Sequence, residues 1–144
     1  MTFSIVGHCK RTGMHGVAIT TSSICVGSRC PWVRAGVGAV TSQNITDPAI
    51  GNEVLDLLAD GIGATDAVKR VMDERPHAAY RQVAVVDRDG VTAHFTGSNI
   101  LGVNAVAEGS HCVAAGNLLS APDVPVAMVK QFEVGGEHHL AAVS

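Results

Sequence analysis

The sequence contains few aromatic residues and no long apolar run. One Trp, one Tyr and three Phe occur in 144 residues, although 47% of the residues are hydrophobic. Such a core is built from Val, Ala, Ile and Leu, and sixteen glycines allow the chain to pack closely. No stretch approaches the length of an apolar membrane span, and no basic start precedes an apolar segment. We therefore expect neither a transmembrane helix nor a signal peptide.

Concentrated positive charge is also missing. The formal net charge is −3, from ten Lys and Arg against thirteen Asp and Glu, and the basic residues form no cluster. Nucleic-acid phosphates bind concentrated basic patches, so we expect no nucleic-acid partner. A chain of 144 residues can bury the core of one domain, and we place that domain over residues 1–144.

Cysteine usage indicates a reducing compartment. The four cysteines form no dense framework, and they are Cys9, Cys25, Cys30 and Cys112. A chain of this size folds without disulfide bonds, so we interpret them as reduced thiols of a cytoplasmic protein.

A metal site has one candidate position. A hairpin would bring His8 and Cys9 close to His15, and the alternative is that all three are ordinary turn residues. We favour the second interpretation, and we expect no metal and no cofactor.

The order of predicted elements favours an α+β domain. Residues 2–7 and 15–22 are typical of a strand hairpin, and residues 33–43 of a further strand. Asp47 and Pro48 predict the start of a helix that ends at Gly61, and a second helix runs from Thr65 toward Pro76. Strands are predicted at 82–86, 91–96 and 111–115, followed by a helix after Ser120 that includes Val129. This grouping suits layered sheets and helices better than alternating βαβ units.

Two glycines line one face of the predicted strand 33–43. Arg34, Gly36, Gly38 and Ser42 share that face, which leaves space between the arginine and the serine. Either a ligand approaches there, or the glycines only admit a neighbouring strand. Gly36 and Gly38 are not followed by the third glycine and the helix of a dinucleotide-binding fingerprint, so we do not expect a dinucleotide-binding enzyme.

Thr2 is the most informative residue. Removal of Met1 would place its hydroxyl beside a free α-amine, whose pKa is typically about 8. The unprotonated amine can accept the hydroxyl proton as the oxygen attacks a carbonyl carbon. The alternative is that Thr2 is a β-branched residue that begins an edge strand.

Long segments of the sequence resemble the DUF1028 family. They appear in the family order between Thr2 and about Phe132, and they are TFSIVG, SSICVGSRCPWVRAGVGAVTSQNITDP, NEVLDLLADG, YRQVAVVDRDG, FTGSN and CVAAGNLLSAPDVPVAMV. That family is similar to the N-terminal nucleophile (Ntn) hydrolases, whose αββα fold places two antiparallel sheets between helix layers. The resemblance implies an amidohydrolase that acts on a small-molecule amide, with Thr2 as nucleophile.

If this mechanism holds, the developing oxyanion needs hydrogen-bond donors. Asn117 and Gln43, both at predicted strand ends, are the candidate catalytic amides, and Asn44 is a candidate for substrate binding. Asn44 has a simpler interpretation as a turn residue.

Three further residues are candidates for substrate binding. Ser22 and Ser23 could hold Thr2 or relay a proton, or they could only satisfy backbone groups at a strand end. Arg34 could bind a substrate carboxylate, or it could form a surface ion pair.

Three features depart from an active member of this fold class. A retained Met1 would acylate the required amine. Many relatives carry a lysine near the nucleophile where this sequence has Ser22 and Ser23. The chain ends at Ser144 within a predicted helix, whereas the family continues, so we expect a sandwich that lacks its last elements and forms a homo-oligomer or binds a complementary C-terminal chain. The alternative function is a catalytically inactive small-molecule-binding or oligomeric module.

Overall fold

A computed structural model describes residues 1–135, which form eight strands and three α-helices. The predicted continuation of the last helix to Ser144 lies outside the described residues. In chain order, the elements are β1 (Thr2–Cys9), β2 (Met14–Thr21), β3 (Pro31–Arg34), β4 (Gly38–Asn44), α1 (Ala49–Ala59), α2 (Ala64–Asp73), β5 (Arg81–Asp87), β6 (Thr92–Thr96), β7 (Ala105–Gly109), β8 (Cys112–Asn117) and α3 (Val124–Gly135).

The strands form two antiparallel sheets of four strands each. The β1 sheet has the order β2-β1-β8-β7, and the β4 sheet has the order β3-β4-β5-β6. Strands β1 and β8 face β4 and β5, while α1 and α2 pack on the β4 sheet and α3 packs on the β1 sheet. The predicted α+β class and layered arrangement are confirmed. Within residues 1–135, no helix has the length and apolar character needed to cross a membrane.

Small side chains fill the space between the two sheets. The buried hydrophobic cluster there consists of valine and alanine residues: Val6, Ala39, Ala84, Val86, Val113 and Ala115. The layer beneath α1 and α2 is larger and contains Ile50, Leu55 and Met72. The low aromatic content is therefore matched to sheets that pack through short side chains.

Local signals located most elements. The helix α1 begins at Ala49 with Pro48 as its N-cap, so the prediction of Asp47 as N-cap is wrong by one residue. Asp47 precedes the N-cap, and its Oδ1 accepts a hydrogen bond from the backbone N–H of Ala49 at 3.1 Å. The β5–β6 turn contains Gly90 at φ 82°, the left-handed conformation that glycine adopts without strain.

The single strand predicted at 33–43 is wrong. The chain turns between β3 and β4, where Gly36 has φ 70° and the N–H of Val37 donates to the carbonyl of Arg34 at 3.1 Å. The alternation of small and apolar residues continues through this turn, so periodicity alone did not reveal it. Strand β7 was also missed, and it pairs with β8 at the edge of the β1 sheet.

All four cysteines are free thiols, and they differ in accessibility. Cys25 is exposed, whereas Cys9, Cys30 and Cys112 are buried. Burial, followed by the charge of Glu133, raises the pKa of Cys112 to about 11.

We therefore expect iodoacetamide near pH 8 to modify Cys25 and leave Cys112 unmodified in the folded protein, because the thiolate is the reactive form. Peptide mass mapping checks this, and rapid modification of Cys112 would contradict the packing of β8 under α3.

Candidate active site

Thr2 is the first residue of β1, which is one of the two inner strands of the β1 sheet. It is directly opposite Thr21 on β2 and Asn117 on β8. Residues that are directly opposite in a sheet point to the same face, so these three residues form a row, which we call the Thr2 row. Val6 lies on that same face and packs between the sheets, so the Thr2 row is at the end of the inter-sheet layer. The Thr2 and Thr21 hydroxyl oxygens are 2.9 Å apart.

Met1 extends the ladder between β1 and β2. Its carbonyl oxygen accepts a hydrogen bond from the backbone N–H of Ser22 at 3.2 Å, and its amine lies 3.3 Å from the Ser22 hydroxyl oxygen. With Met1 in place, the nitrogen of Thr2 is an amide and cannot act as a base. Met1 itself is 47% exposed.

A buried polar network lies next to the Thr2 row. The Ser4 hydroxyl donates to Gln43 Oε1 at 2.7 Å, and Gln43 Nε2 donates to Gln82 Oε1 at 2.9 Å. Asn117 Nδ2 also donates to Gln82 Oε1, at 3.3 Å. Ser4 and Gln82 are fully buried, and Gln43 and Asn117 are only 1% and 2% exposed. Of the three predicted catalytic residues, Asn117 thus lies directly opposite Thr2, and Gln43 is linked to Asn117 through Gln82.

Ser4 and Gln82 were not predicted as members of this site. A signal was present for Gln82, because it shares one face of β5 with the buried Ala84 and Val86. A polar residue on an otherwise apolar buried face needs a hydrogen-bond partner. The partner was not identifiable from sequence, since Gln43 meets Gln82 only through pairing of β4 with β5.

Arg34 and Asn44 make structural contacts: Arg34 forms a surface ion pair, and Asn44, at the end of β4, forms hydrogen bonds to the main chain of other segments. Arg34 forms an ion pair with Asp56 of α1 at 2.8 Å, where the two side chains are 38% and 67% exposed. Asn44 has φ 72°, and its side chain donates to the Tyr80 carbonyl at 2.7 Å and accepts from the Leu101 N–H at 3.3 Å. The structure does not bring Arg34 into contact with the Thr2 row, and it places Asn44 in a junction between loops.

Ser23 connects the Thr2 row to a cation that the sequence analysis did not identify. Its backbone N–H donates to Thr21 Oγ1 at 3.1 Å, and its hydroxyl accepts from Arg29 at 2.7 Å. Arg29 also donates to the Thr46 hydroxyl at 3.1 Å. Among the ion pairs within residues 1–135, none involves Arg29. Arg29 therefore lies beside the Ser22–Ser23 segment and contacts the Thr2 row only indirectly, through Ser23.

Comparison with known proteins identifies the family. The sequence model of a family described as "Family of unknown function (DUF1028)" matches residues 2–143. The chain belongs to the DUF1028 family. A similar solved structure is the crystal structure of the DUF1028 protein SPO2555 from Silicibacter pomeroyi, with 36% sequence identity and a TM-score of 0.88. The alignment covers 92% of this chain and 61% of that chain, so this chain spans less than two thirds of SPO2555. No curated protein is significantly similar to it.

Three histidines lie at the opposite end of the inter-sheet layer of this DUF1028 chain. His8 is directly opposite His15, and the backbone N–H of His8 donates to the backbone carbonyl of His111 at 2.9 Å. The His8 ring centroid lies 4.8 Å from that of His15 and 5.8 Å from that of His111. In the part of the chain that the structure describes, no group of three or more His, Cys, Asp or Glu side chains has a geometry that could hold a metal ion.

The histidine cluster predicts acid sensitivity. Burial, followed by the charges of His15 and His111, lowers the pKa of His8 below 6.5, and Asp87 and Asp89 oppose this shift. Just below pH 6.5, His8 therefore binds a proton more readily in the unfolded chain than in the folded chain. The contribution of neutral His8 to the free energy of unfolding is fully present above that pH and is lost progressively on acidification. Urea unfolding at about pH 7.5 and about pH 5.5 should show a larger loss for the wild type than for His8→Phe. Equal losses would show that His8 does not titrate with folding.

A surface cleft lies elsewhere on the DUF1028 chain. Its volume is about 470 Å³, and residues of α1, of α2 and of the segment after α2 line it, including Glu53, Asp56, Arg70 and Arg75. None of the predicted site residues lines this cleft. Its lining includes charged residues of both signs, and Arg75 among them forms ion pairs with Asp47 and Glu53.

Proposed function

We propose that this DUF1028 chain is an Ntn-hydrolase-like amidohydrolase in which Thr2, after removal of Met1, is the nucleophile toward a small-molecule amide. The observation that supports this proposal is the Thr2 row: a threonine at the second position begins a central strand and lies directly opposite a buried asparagine. A buried amide directly opposite the threonine can supply a hydrogen-bond donor to the reacting atoms.

The proposed reaction has two steps. The α-amine of Thr2 accepts the proton of its own hydroxyl while Oγ1 attacks the amide carbon, and collapse of the tetrahedral intermediate breaks the C–N bond. The leaving nitrogen takes the proton from the α-ammonium group, and an ester on Thr2 remains. Water, deprotonated by the same α-amine, then hydrolyses this ester and regenerates the hydroxyl.

Two groups are proposed to stabilise the oxyanion. The Ser22 N–H now donates to the Met1 carbonyl at 3.2 Å, and removal of Met1 leaves this donor without that acceptor. Asn117 uses one of the two N–H bonds of its amide for Gln82, and the second is the other proposed donor. Donors that are already in position stabilise developing negative charge most effectively.

A substrate carboxylate is proposed to bind Arg29. Arg34, the candidate from sequence, is already neutralised by Asp56, whereas the acceptors of Arg29 within residues 1–135 are the neutral oxygens of Ser23, Thr46 and Ile24. A guanidinium group with neutral partners retains its charge for an anionic ligand.

The proposal is tested with two forms of the chain. In one form Met1 has been removed, as intact mass verifies, and in the other a lysine inserted after Met1 keeps the Thr2 nitrogen in an amide bond. We expect release of amine from a panel of small amides, with and without a carboxylate, only by the first form. Equal turnover by both forms, or no turnover by either form, would contradict the mechanism.

One observation favours a second candidate function, a non-catalytic small-molecule-binding or oligomeric module. Gln43 and Asn117 are almost completely buried and donate hydrogen bonds within the protein, as structural amides do. This function predicts saturable binding of an amide by the Met1-free chain without turnover.

We also propose that the chain associates with a second copy or with a complementary chain. The support is that α3 packs on β1, β7 and β8, whereas most residues of the edge strand β2 are only half-buried. Light scattering should give a native mass above the 14.8 kDa of one chain, and a monomer at micromolar concentration would contradict self-association.

A further inference from the structure

The orientation of the Gln82 side chain is fixed by the main chain of β8. Gln82 Nε2 donates a hydrogen bond to the carbonyl oxygen of Gly116 at 3.2 Å. A carbonyl oxygen only accepts hydrogen bonds, so the NH2 group of Gln82 must face Gly116 and its oxygen must face the other way. The usual ambiguity between the two flipped forms of a buried amide is thus removed.

The Gln82 oxygen then determines the orientation of two further amides. Gln82 Oε1 accepts from Gln43 Nε2 at 2.9 Å and from Asn117 Nδ2 at 3.3 Å, which uses both of its lone pairs. Gln43 presents its own oxygen to the Ser4 hydroxyl at 2.7 Å. Every amide in this network therefore has an assigned direction that starts at the Gly116 carbonyl.

A flipped Asn117 would conflict with this direction. Its Oδ1 would replace Nδ2 and face Gln82 Oε1 at about the same separation, which is 3.3 Å for the nitrogen. Two acceptor oxygens with no proton between them repel each other, and Gln82 and Asn117 are both buried. The flipped form is strongly disfavoured as long as Gln82 offers an acceptor.

We infer that Gln82 is a positioning residue that holds Asn117 with its NH2 group, and not its carbonyl oxygen, next to the reacting atoms at Thr2. The kinetic consequence rests on the proposed function, because an asparagine oxygen turned toward an oxyanion would raise the energy of the transition state. The orientation of Asn117 itself follows from the hydrogen bonds of Gln82 whether or not Thr2 is a nucleophile.

Three variants of the Met1-free chain separate this role from a general loss of core structure. Gln82→Met keeps the length of the side chain and removes the acceptor. Gln82→Glu keeps an acceptor toward Asn117, and its protonated form also restores a donor toward Gly116. Thr41→Val is the matched control, because Thr41 is equally buried in the same layer and its hydroxyl oxygen lies 3.4 Å from that of Ser4.

The first readout is the hydrogen exchange of the Asn117 side-chain amide, measured by NMR on the folded variants. We expect Gln82→Met to accelerate exchange by about tenfold or more, because the hydrogen bond that protects one N–H is lost. Gln82→Glu and Thr41→Val should leave the exchange rate within about threefold of the wild type. Unchanged exchange in Gln82→Met would overturn the inference, whatever the chain hydrolyses.

The second readout is turnover of an amide by the same proteins. Gln82→Met should lower kcat by about tenfold or more with KM within about twofold, and Gln82→Glu should restore kcat. Accelerated exchange without turnover by any form, wild type included, would leave the orientation standing and reject the proposed function. If Gln82→Met does not fold, Gln82→Glu decides the question, since accelerated Asn117 exchange in that variant would contradict positioning by the acceptor.

Discussion

Replacement of Thr2 by Val is expected to abolish amide hydrolysis, with a decrease of at least roughly 10³-fold in kcat. Valine has nearly the shape of threonine and also permits removal of Met1, but it has no oxygen that can form the ester. Thr2→Ser should retain measurable turnover because it keeps both the hydroxyl and the adjacent amine. The fold should be preserved, since the hydrogen bond that the Thr2 hydroxyl makes within residues 1–135 is the one with the Thr21 hydroxyl at 2.9 Å, and such a bond is worth about 1 kcal/mol.

Steady-state kinetics on an amide identified from the panel measures this effect. Intact mass must show that Met1 is absent from the wild type and from both variants, and urea unfolding must show similar stability. Turnover by Thr2→Val at a rate near that of the wild type would mean that the hydroxyl is not the nucleophile, and the site would have to be assigned elsewhere.

The second large effect is expected on stability, from Gly97→Ala. A Cβ atom at Gly97 would lie 2.2 Å from the carbonyl oxygen of Ala79, a main-chain atom that cannot rotate away. The backbone N–H of Gly97 donates to the Arg81 carbonyl at 2.9 Å. In the same loop, the backbone N–H of Asn99 donates to the Ala79 carbonyl oxygen at 2.7 Å. Because the segment is held on both sides, we expect a loss of roughly 3 kcal/mol in the free energy of unfolding.

Thermal unfolding measures this loss, which corresponds to a decrease in Tm of roughly 10 °C for a domain of this size. Gly63→Ala is the matched control, because no heavy atom lies within 4 Å of a Cβ built at Gly63. A Tm for Gly97→Ala equal to that of the Gly63 variant would show that the loop after β6 is not packed against Ala79.

Local patterns in the sequence were sufficient for most elements. The β1–β2 and β5–β6 hairpins and the start of α1 near Asp47 are specified by residues close together in the chain, so their signals could be identified without knowledge of the fold. The break at Gly36 was missed because the alternation on which the strand prediction rested continues through the turn.

The candidate site was only partly predictable for a different reason. Thr2 was recognisable because its chemistry depends only on its distance from the N-terminus. Gln82 joins the site through contacts with Gly116 and Asn117, which are far away in sequence. Arg29 contacts Ser23, six residues earlier, through the irregular loop after β2, where no periodic pattern marks the contact. The ion pair of Arg34 with Asp56 is equally a product of tertiary packing, since α1 follows β3 through an entire strand.

The most direct measurement of the central claim is covalent labelling of the Met1-free chain with a β-lactone, a general electrophile that acylates activated hydroxyls. We expect one acyl group, which tandem mass spectrometry places as an ester on the Thr2 oxygen and which is absent from Thr2→Val and from the form with a blocked N-terminus. Acylation that occurs only at the exposed Cys25, or equally in Thr2→Val, would contradict the claim that the Thr2 amine activates its own hydroxyl.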